Sequence, residues 1–79
     1  MTKTEIIKMT KRVDSKGNKY LTIYFDYFGE ERFTYLNKKA LEYWKSKGIT
    51  KFWIGQKIEV MLLKNQKHFK VYYLETIIE

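Results

Sequence analysis

The sequence predicts a mainly β domain in which five strands and one helix follow the order β-β-β-α-β-β. Runs of β-branched and aromatic residues alternate with short turn sequences, and the hydrophobic period lengthens to that of a helix after residue 36. The regular alternation of strand and helix that is typical of a parallel sheet is absent from this pattern. With 79 residues, the chain is expected to form one domain over 1–79.

The first half of the chain predicts a meander of three strands. Strong β-formers separated by Asp, Ser, Gly and Asn place these strands at 5–13, 20–28 and 32–36, with turns at 14–19 and 29–31. Side chains alternate between the faces of a strand, so the apolar residues of the first strand that share one face are Ile7, Met9 and Val13.

The second half predicts a helix and a final hairpin. Asn37 is a suitable N-cap, Gly48 a suitable stop, and the intervening segment 38–47 is amphipathic, with an apolar face of Ala40, Leu41 and Trp44. The connector 49–56 is expected to bury one or more of Phe52, Trp53 and Ile54. The last two strands are expected at 57–64 and 69–78, on either side of a turn at 65–68.

This order of elements in a short chain matches a small OB-like five-stranded Greek-key barrel with one helix between strands 3 and 4. Closure of the barrel would also protect aromatic edge strands from aggregation. A half-open five-stranded sheet with the helix on one face is the alternative arrangement.

Seven aromatic residues lie between positions 20 and 35, more than a small core requires. In the second strand the more apolar set, Leu21, Ile23, Phe25 and Tyr27, is expected to face the core. The other set, Tyr20, Thr22, Tyr24, Asp26 and Phe28, is expected to face water. For the third strand the register decides whether Phe33 and Tyr35 or Arg32 and Thr34 face outward. Across the whole chain, the aromatic side chains with the strongest expectation of a core position are Phe25, Phe33, Phe69, Trp44 and Trp53.

Exposed aromatic side chains bordered by cations are typical of a surface that binds single-stranded nucleic acid. Bases stack on the rings irrespective of sequence, and Lys neutralises the phosphates. The residues predicted to bind nucleic acid are Tyr20, Tyr24, Lys16, Lys19, Arg32, Tyr35, Lys67 and His68. The net charge of +7, from 16 basic and 9 acidic residues, favours a polyanionic partner. Lys far outnumbers Arg, which favours phosphate contact over base-specific recognition.

Other function classes find little support in the composition. There is no Cys and only one His, and no nucleophile, phosphate-loop or metal-ligand motif is found, so no enzymatic activity, cofactor, metal or small-molecule substrate is expected. No apolar run reaches the length of a membrane span, and no signal peptide is recognised. The expected location is the cytoplasm, or the host cytoplasm for a viral protein.

Two segments carry a resemblance to a known family. DSKGNKYLTIYFD resembles the hairpin of small phage-type single-stranded DNA-binding proteins of the OB-fold, and IGQKIEVML is similar to the opening of their fourth strand. The resemblance implies a non-specific coat on single-stranded DNA in replication, assembled as a homodimer or larger, and it points to Lys16, Lys19, Tyr20 and Tyr24. The helix of about three turns departs from the filamentous-phage type. The mostly apolar segment ETIIE also differs from the acidic C-terminal tail of the larger bacterial type.

Alternative functions use the same surface differently. The aromatic side chains could form a hot spot for a host protein, as in a small phage or mobile-element modulator. A domain that binds duplex DNA or RNA would rely on Lys and Arg alone. Salt dependence separates single-strand binding from a protein hot spot, because phosphate binding weakens steeply with ionic strength and binding at an aromatic hot spot weakens much less. The choice between DNA and RNA stays open.

Overall fold

The computed structural model describes residues 2–65 and 70–78, which form five strands and one helix in the predicted order. The elements are β1 (Thr2–Val13), β2 (Lys19–Tyr27), β3 (Glu30–Leu36), α1 (Lys38–Ser46), β4 (Lys57–Asn65) and β5 (Lys70–Ile78). Lys67, His68 and Phe69, to which the sequence assigned roles, lie outside the described residues.

The strands form one antiparallel sheet in the order β3-β2-β1-β4-β5. The first three strands make a meander, and the connection through α1 returns β4 to the free side of β1, which is a Greek-key arrangement. The long strand β1 serves both halves of the sheet: residues 2–5 pair with β4, and the rest pairs with β2. The predicted mainly β fold, with five antiparallel strands and one helix, is therefore confirmed.

The two edge strands, β3 and β5, approach each other without a backbone ladder. The Thr34 hydroxyl donates to the Tyr72 carbonyl at 2.7 Å, and Arg32 Nε donates to the Tyr72 hydroxyl at 3.2 Å. No pairing between these strands is found in the described part of the chain, so the sheet is open. Closure of the predicted barrel is thus not confirmed, and the open-sheet alternative agrees with the observed sheet.

A β-bulge in β1 changes which side chains face the core. Ile6 pairs with Phe25 and Lys8 pairs with Tyr24, which leaves Ile7 as the extra residue of the bulge. Ile6 is consequently buried, whereas Ile7, which was predicted to share a face with Met9 and Val13, is exposed.

Beyond the bulge, the predicted faces of β1 are recovered. Met9 packs against the core, as expected, and the side chains of Lys8, Thr10 and Arg12 lie on the opposite face, according to their register with β2. Val13, predicted on the same face as Met9, is exposed near the end of the β1–β2 hairpin.

The core collects the inward side chains of the sheet and one face of the helix. Leu21, Ile23 and Phe25 are buried, which confirms the predicted inner face of β2. The buried hydrophobic residues are Ile6, Leu21, Ile23, Phe25, Leu36, Trp44, Ile58, Val60, Tyr72 and Leu74. Full burial of such a side chain contributes about 1.5–3 kcal/mol, so this cluster is the main source of stability.

Helix α1 begins and ends as the sequence predicts. The Asn37 side chain accepts a hydrogen bond from the backbone N–H of Ala40 at 2.9 Å, and Gly48 has a φ of +88° after the last turn. Trp44 is buried, and Ala40 and Leu41 pack beside it. The amphipathic face of the helix therefore covers the core.

The connector before β4 was expected to bury one or more of Phe52, Trp53 and Ile54, and of these three Phe52 packs against the core. Phe52 is half-buried, whereas Trp53 and Ile54 are exposed, so placing Trp53 in the core was wrong. Gln56 is buried instead, and its side-chain oxygen accepts a hydrogen bond from Trp53 N–H at 3.3 Å. This turn directs the indole outward as the chain enters β4.

Candidate nucleic-acid interface

Four aromatic side chains share the outer face of β2 and β3. Tyr24 pairs with Phe33 and Thr22 pairs with Tyr35, so the residues of β3 that face outward are Phe33 and Tyr35. They are 44% and 58% exposed, whereas Thr34 is buried on the opposite face. The question left open by the sequence is thereby answered, and the expectation that Phe33 lies in the core was wrong.

These rings form one continuous row. Ring centroids are 5.6 Å apart for Tyr20 and Tyr35, 5.2 Å for Tyr35 and Phe33, and 5.8 Å for Phe33 and Tyr24. Such spacings are those of interacting aromatic pairs, so the rings hold each other in place. We refer to Tyr20, Tyr24, Phe33 and Tyr35 as the aromatic face. Its side chains are half-buried or exposed and lie on paired strands, which makes it a preorganised surface.

The centre of this surface is covered. Thr22 was expected to face water, and its register places it on the outer face, but it is only 2% exposed. Its cross-strand neighbours there are Thr10 and Tyr35. The hydroxyls of Thr10 and Thr22 are buried without a hydrogen-bond partner among the described residues. The rings therefore enclose a small, poorly solvated centre.

Strand β1 supplies cations along one side of the aromatic face. Lys8 Nζ lies 4.9 Å from the ring centroid of Tyr24, within cation–π range. Arg12 is the register partner of Tyr20. Positive charge that the sequence places in the first strand thus lies beside rings contributed by the second.

A recess at the Tyr20–Tyr35 end adds three further cations. Lys19, Lys38 and Lys39 line it together with these two rings, against one acidic residue, Asp14. Lys38 and Lys39 stand in the first turn of α1, where the positive end of the helix dipole also favours an anion. The cations around the aromatic face, here called the cationic border, are Lys8, Arg12, Lys19, Lys38 and Lys39.

The opposite end of the same surface is acidic. Asp26 and Glu31 pair across β2 and β3 near the hairpin tip. Like charges at this end would repel phosphate, whereas the cationic border would attract it. The outer face therefore has an electrostatic direction, from the β1–β2 turn to the β2–β3 turn.

The structure brings together some of the predicted site residues and separates others. Tyr20, Tyr24, Tyr35 and Lys19 all lie at the aromatic face or its recess. Lys16 is exposed in the β1–β2 turn, where its backbone N–H donates to Asp14 Oδ1 at 2.9 Å.

Arg32 lies apart from the aromatic face. Its register partner, Phe25, belongs to the core side of the sheet, and its guanidinium bonds to Tyr72 and forms an ion pair with Glu30. Lys67 and His68 lie outside the described residues.

Sequence reasoning missed Lys8, Arg12, Phe33, Lys38 and Lys39. For Lys8 and Arg12 a signal was present, since both alternate with the apolar residues of the first strand. For Lys38 and Lys39 there was none, because their proximity to Tyr20 and Tyr35 depends on how the helix begins after β3.

Two other kinds of functional feature, a metal site and a membrane-spanning helix, are not found among the described residues. Among the residues described, no group of three or more His, Cys, Asp or Glu could hold a metal ion. Over the same ranges, no helix has the length and apolar character needed to span a membrane. Comparison of the chain with protein-family models, curated proteins and solved structures gave no match.

Proposed function

We propose that this protein binds single-stranded nucleic acid, in the first place DNA, without strong sequence preference, in support of replication or recombination. The observation that carries the proposal is the row of four rings on two paired strands, bordered by five cations. Every base has a π-face, so stacking on such rings does not require a particular sequence.

Two kinds of contact would share the binding energy. Each base stacked on an aromatic side chain contributes about 1–3 kcal/mol. Each cation of the border that contacts a phosphate releases a counterion. For single strands, each such contact adds about −0.7 to the slope of log K against log salt concentration. Four of these five cations are Lys, so the contacts are expected to follow the backbone and to carry little base preference.

The charge gradient suggests how the strand would lie. Phosphates would be held at the recess formed with Lys19, Lys38 and Lys39, and bases would extend over Tyr35, Phe33 and Tyr24. Asp26 and Glu31 would keep the phosphate backbone away from the β2–β3 turn.

We further propose that the fold is a partly open OB-like barrel. The Greek-key order and the helix between β3 and β4 support this. So does the approach of β3 to β5 through Thr34 and Tyr72. In an OB-fold the binding surface uses strands 2 and 3, where the aromatic face lies. The expected homodimer is tested separately, by sedimentation of the free protein.

A titration of labelled oligo-dT, followed by fluorescence anisotropy, tests the proposal. If all five border cations meet phosphates, affinity should fall about 100-fold between about 50 and about 200 mM salt. Tyr24→Ala and Tyr35→Ala should each weaken binding by about 5- to 150-fold, with the fold intact. Tyr43→Ala is the matched control, because Tyr43 is an exposed Tyr on α1 that lies outside the aromatic face.

Each outcome decides between named alternatives. Loss of binding with Tyr35→Ala but not with Tyr43→Ala would support stacking at the aromatic face. Equal binding by all variants would leave charge alone as the cause and would favour a duplex or RNA phosphate surface. No binding at low salt would contradict the proposal and would favour a protein partner at the aromatic face.

A further inference from the structure

A groove separates the β1–β2 hairpin from the helix, mainly on the inner side of the sheet, and it reaches the Tyr20 end of the aromatic face. The inner residues of the hairpin, including Met9, Lys11 and Leu21, form one wall, and α1 with the connector 49–52 forms the other. The groove encloses about 1070 Å³. The groove is open to solvent near the end of the hairpin, where Val13 lines it and is exposed.

The floor of this groove is mainly aliphatic. Its apolar side chains are Met9, Val13, Leu21, Leu41, Ile49 and Phe52. Several of these pack against the core and leave part of their surface open to the groove. Two rings, Phe52 and Tyr20, also line the groove, and its other apolar side chains are aliphatic. Leu, Ile and Phe side chains of a peptide pack well on such a surface, whereas nucleobases gain most from stacking on flat rings.

The rim of the groove is strongly basic. Its cations are Lys11, Arg12, Lys19, Lys38, Lys45 and Lys51, against one acidic residue, Glu42. All six cations are exposed, and none forms an ion pair with another described residue. An occupant of complementary charge would carry carboxylates beside its apolar side chains, so that each meets the rim while the apolar residues cover the floor.

We propose that this groove, called here the basic groove, binds an acidic amphipathic segment of a partner protein. An amphipathic helix places apolar residues at i, i+3, i+4 and i+7 on one face, which is the arrangement that a hydrophobic groove accepts. Asp and Glu on its flanks would meet Lys45 and Lys51 on one side and Lys11 on the other. This binding goes beyond the proposed nucleic-acid function and would allow a partner to be recruited.

The two sites adjoin along the β1–β2 hairpin. Arg12, Lys19 and Lys38 line the basic groove and also belong to the cationic border. A bound acidic segment would compete with phosphates for these cations, so peptide and oligonucleotide should weaken each other's binding. Lys45 and Lys51 line the groove but not the recess, which makes them the residues that separate the two sites experimentally.

The test uses a fluorescein-labelled synthetic helical peptide with Leu at i, i+3, i+4 and i+7 and Glu or Asp elsewhere. Its control has the same composition in scrambled order. Lys45→Glu and Lys51→Glu should each weaken binding of the ordered peptide roughly fivefold. Lys47→Glu is the matched control, since Lys47 follows the same helix but does not line the groove, and it should change binding less than twofold.

Oligo-dT binding by the same variants distinguishes this proposal from the proposed function. Support requires that Lys45→Glu and Lys51→Glu lose the ordered peptide while keeping affinity for oligo-dT within about twofold. The proposal is overturned if the ordered peptide does not bind, if the scrambled peptide binds equally well, or if Lys47→Glu is as damaging as Lys45→Glu. It is also overturned if the groove variants lose oligo-dT instead, because the groove would then belong to the nucleic acid.

Discussion

The two faces of β2 carry similar residues but serve different purposes. On the inner face Phe25 is 0% exposed and packs edge to face against Tyr72, with 5.5 Å between ring centroids. On the outer face Tyr24 is half-buried and contacts Phe33 and Lys8. Aromatic character is common to both faces, whereas enclosure by other elements is confined to the inner face.

The comparison teaches that neighbours, and not residue type, decide what an aromatic side chain does in this small sheet. The helix and the β4–β5 hairpin cover the inner face with apolar side chains. On the outer face of β2 the rings pack laterally against their cross-strand partners and keep surface open to solvent. Substitutions of matched residues on the two faces test this distinction.

The largest contrast is expected between Phe25→Ala and Phe33→Ala. Deleting the buried ring should cost about 3–5 kcal/mol, a large fraction of the stability of a domain of this size. Phe33 is 44% exposed, so its loss should cost less than about 1 kcal/mol while weakening oligo-dT binding. Urea unfolding of both variants provides the measurement. Similar losses of stability would mean that the outer rings also belong to the core.

The next contrast is smaller. Thr22→Val and Thr34→Val are expected to change the stability of the protein in opposite directions. Both threonines are buried, but the Thr22 hydroxyl has no partner among the described residues, whereas Thr34 donates to the Tyr72 carbonyl at 2.7 Å. Removing the unpaired hydroxyl should stabilise the protein by about 1 kcal/mol, and removing the paired one should destabilise it by about 1–2 kcal/mol.

The measurement is the midpoint of urea unfolding of each Val variant, compared with that of the original protein at an unchanged m-value. Destabilisation by both would show that the Thr22 hydroxyl has a partner in solution, and that the centre of the outer face is wetter than its burial indicates. A neutral Thr34→Val would show that the contact between β3 and β5 contributes little to the fold.

Much of the fold was predictable from local patterns, and what was missed depends on contacts distant in sequence. The alternation of Leu21, Ile23 and Phe25 identified the inner face of β2, and Asn37 identified the start of α1. The bulge at Ile7 was not predictable, since one extra residue reverses the faces of the strand without changing its composition.

The candidate site was predictable to a similar extent. The outward positions of Tyr20 and Tyr24 follow from the alternation of side chains within one strand. Phe33 was assigned to the core because its face depends on the pairing of β2 with β3, and Lys38 was missed because the path from β3 into α1 brings it to the recess. Pairing and chain path are properties of the assembled sheet, which a single strand sequence does not contain.

The smallest effect is expected at Phe28, in the turn that follows β2. Tyr27 pairs with Glu30, so Phe28 and Gly29 form a two-residue turn, with φ values of +52° and +84°. Such a turn favours Asn before Gly, and a bulky residue in the left-handed region is strained by about 1–2 kcal/mol. The ring is 79% exposed and its centroid lies 4.8 Å from that of Tyr27, so little burial offsets the strain.

Phe28→Asn should therefore raise the melting temperature by roughly 2–6 °C, corresponding to a net gain of about 0.5–1 kcal/mol. Phe28→Ala is the control, because it removes the same ring but keeps a side chain without Asn's tolerance of positive φ, and it should bring no gain. If Ala stabilises as much as Asn, the source of the effect is the exposed ring and not the backbone. If Asn destabilises, the contact of Phe28 with Tyr27 outweighs the strain, and even an aromatic residue at the tip of the outer face contributes to the fold.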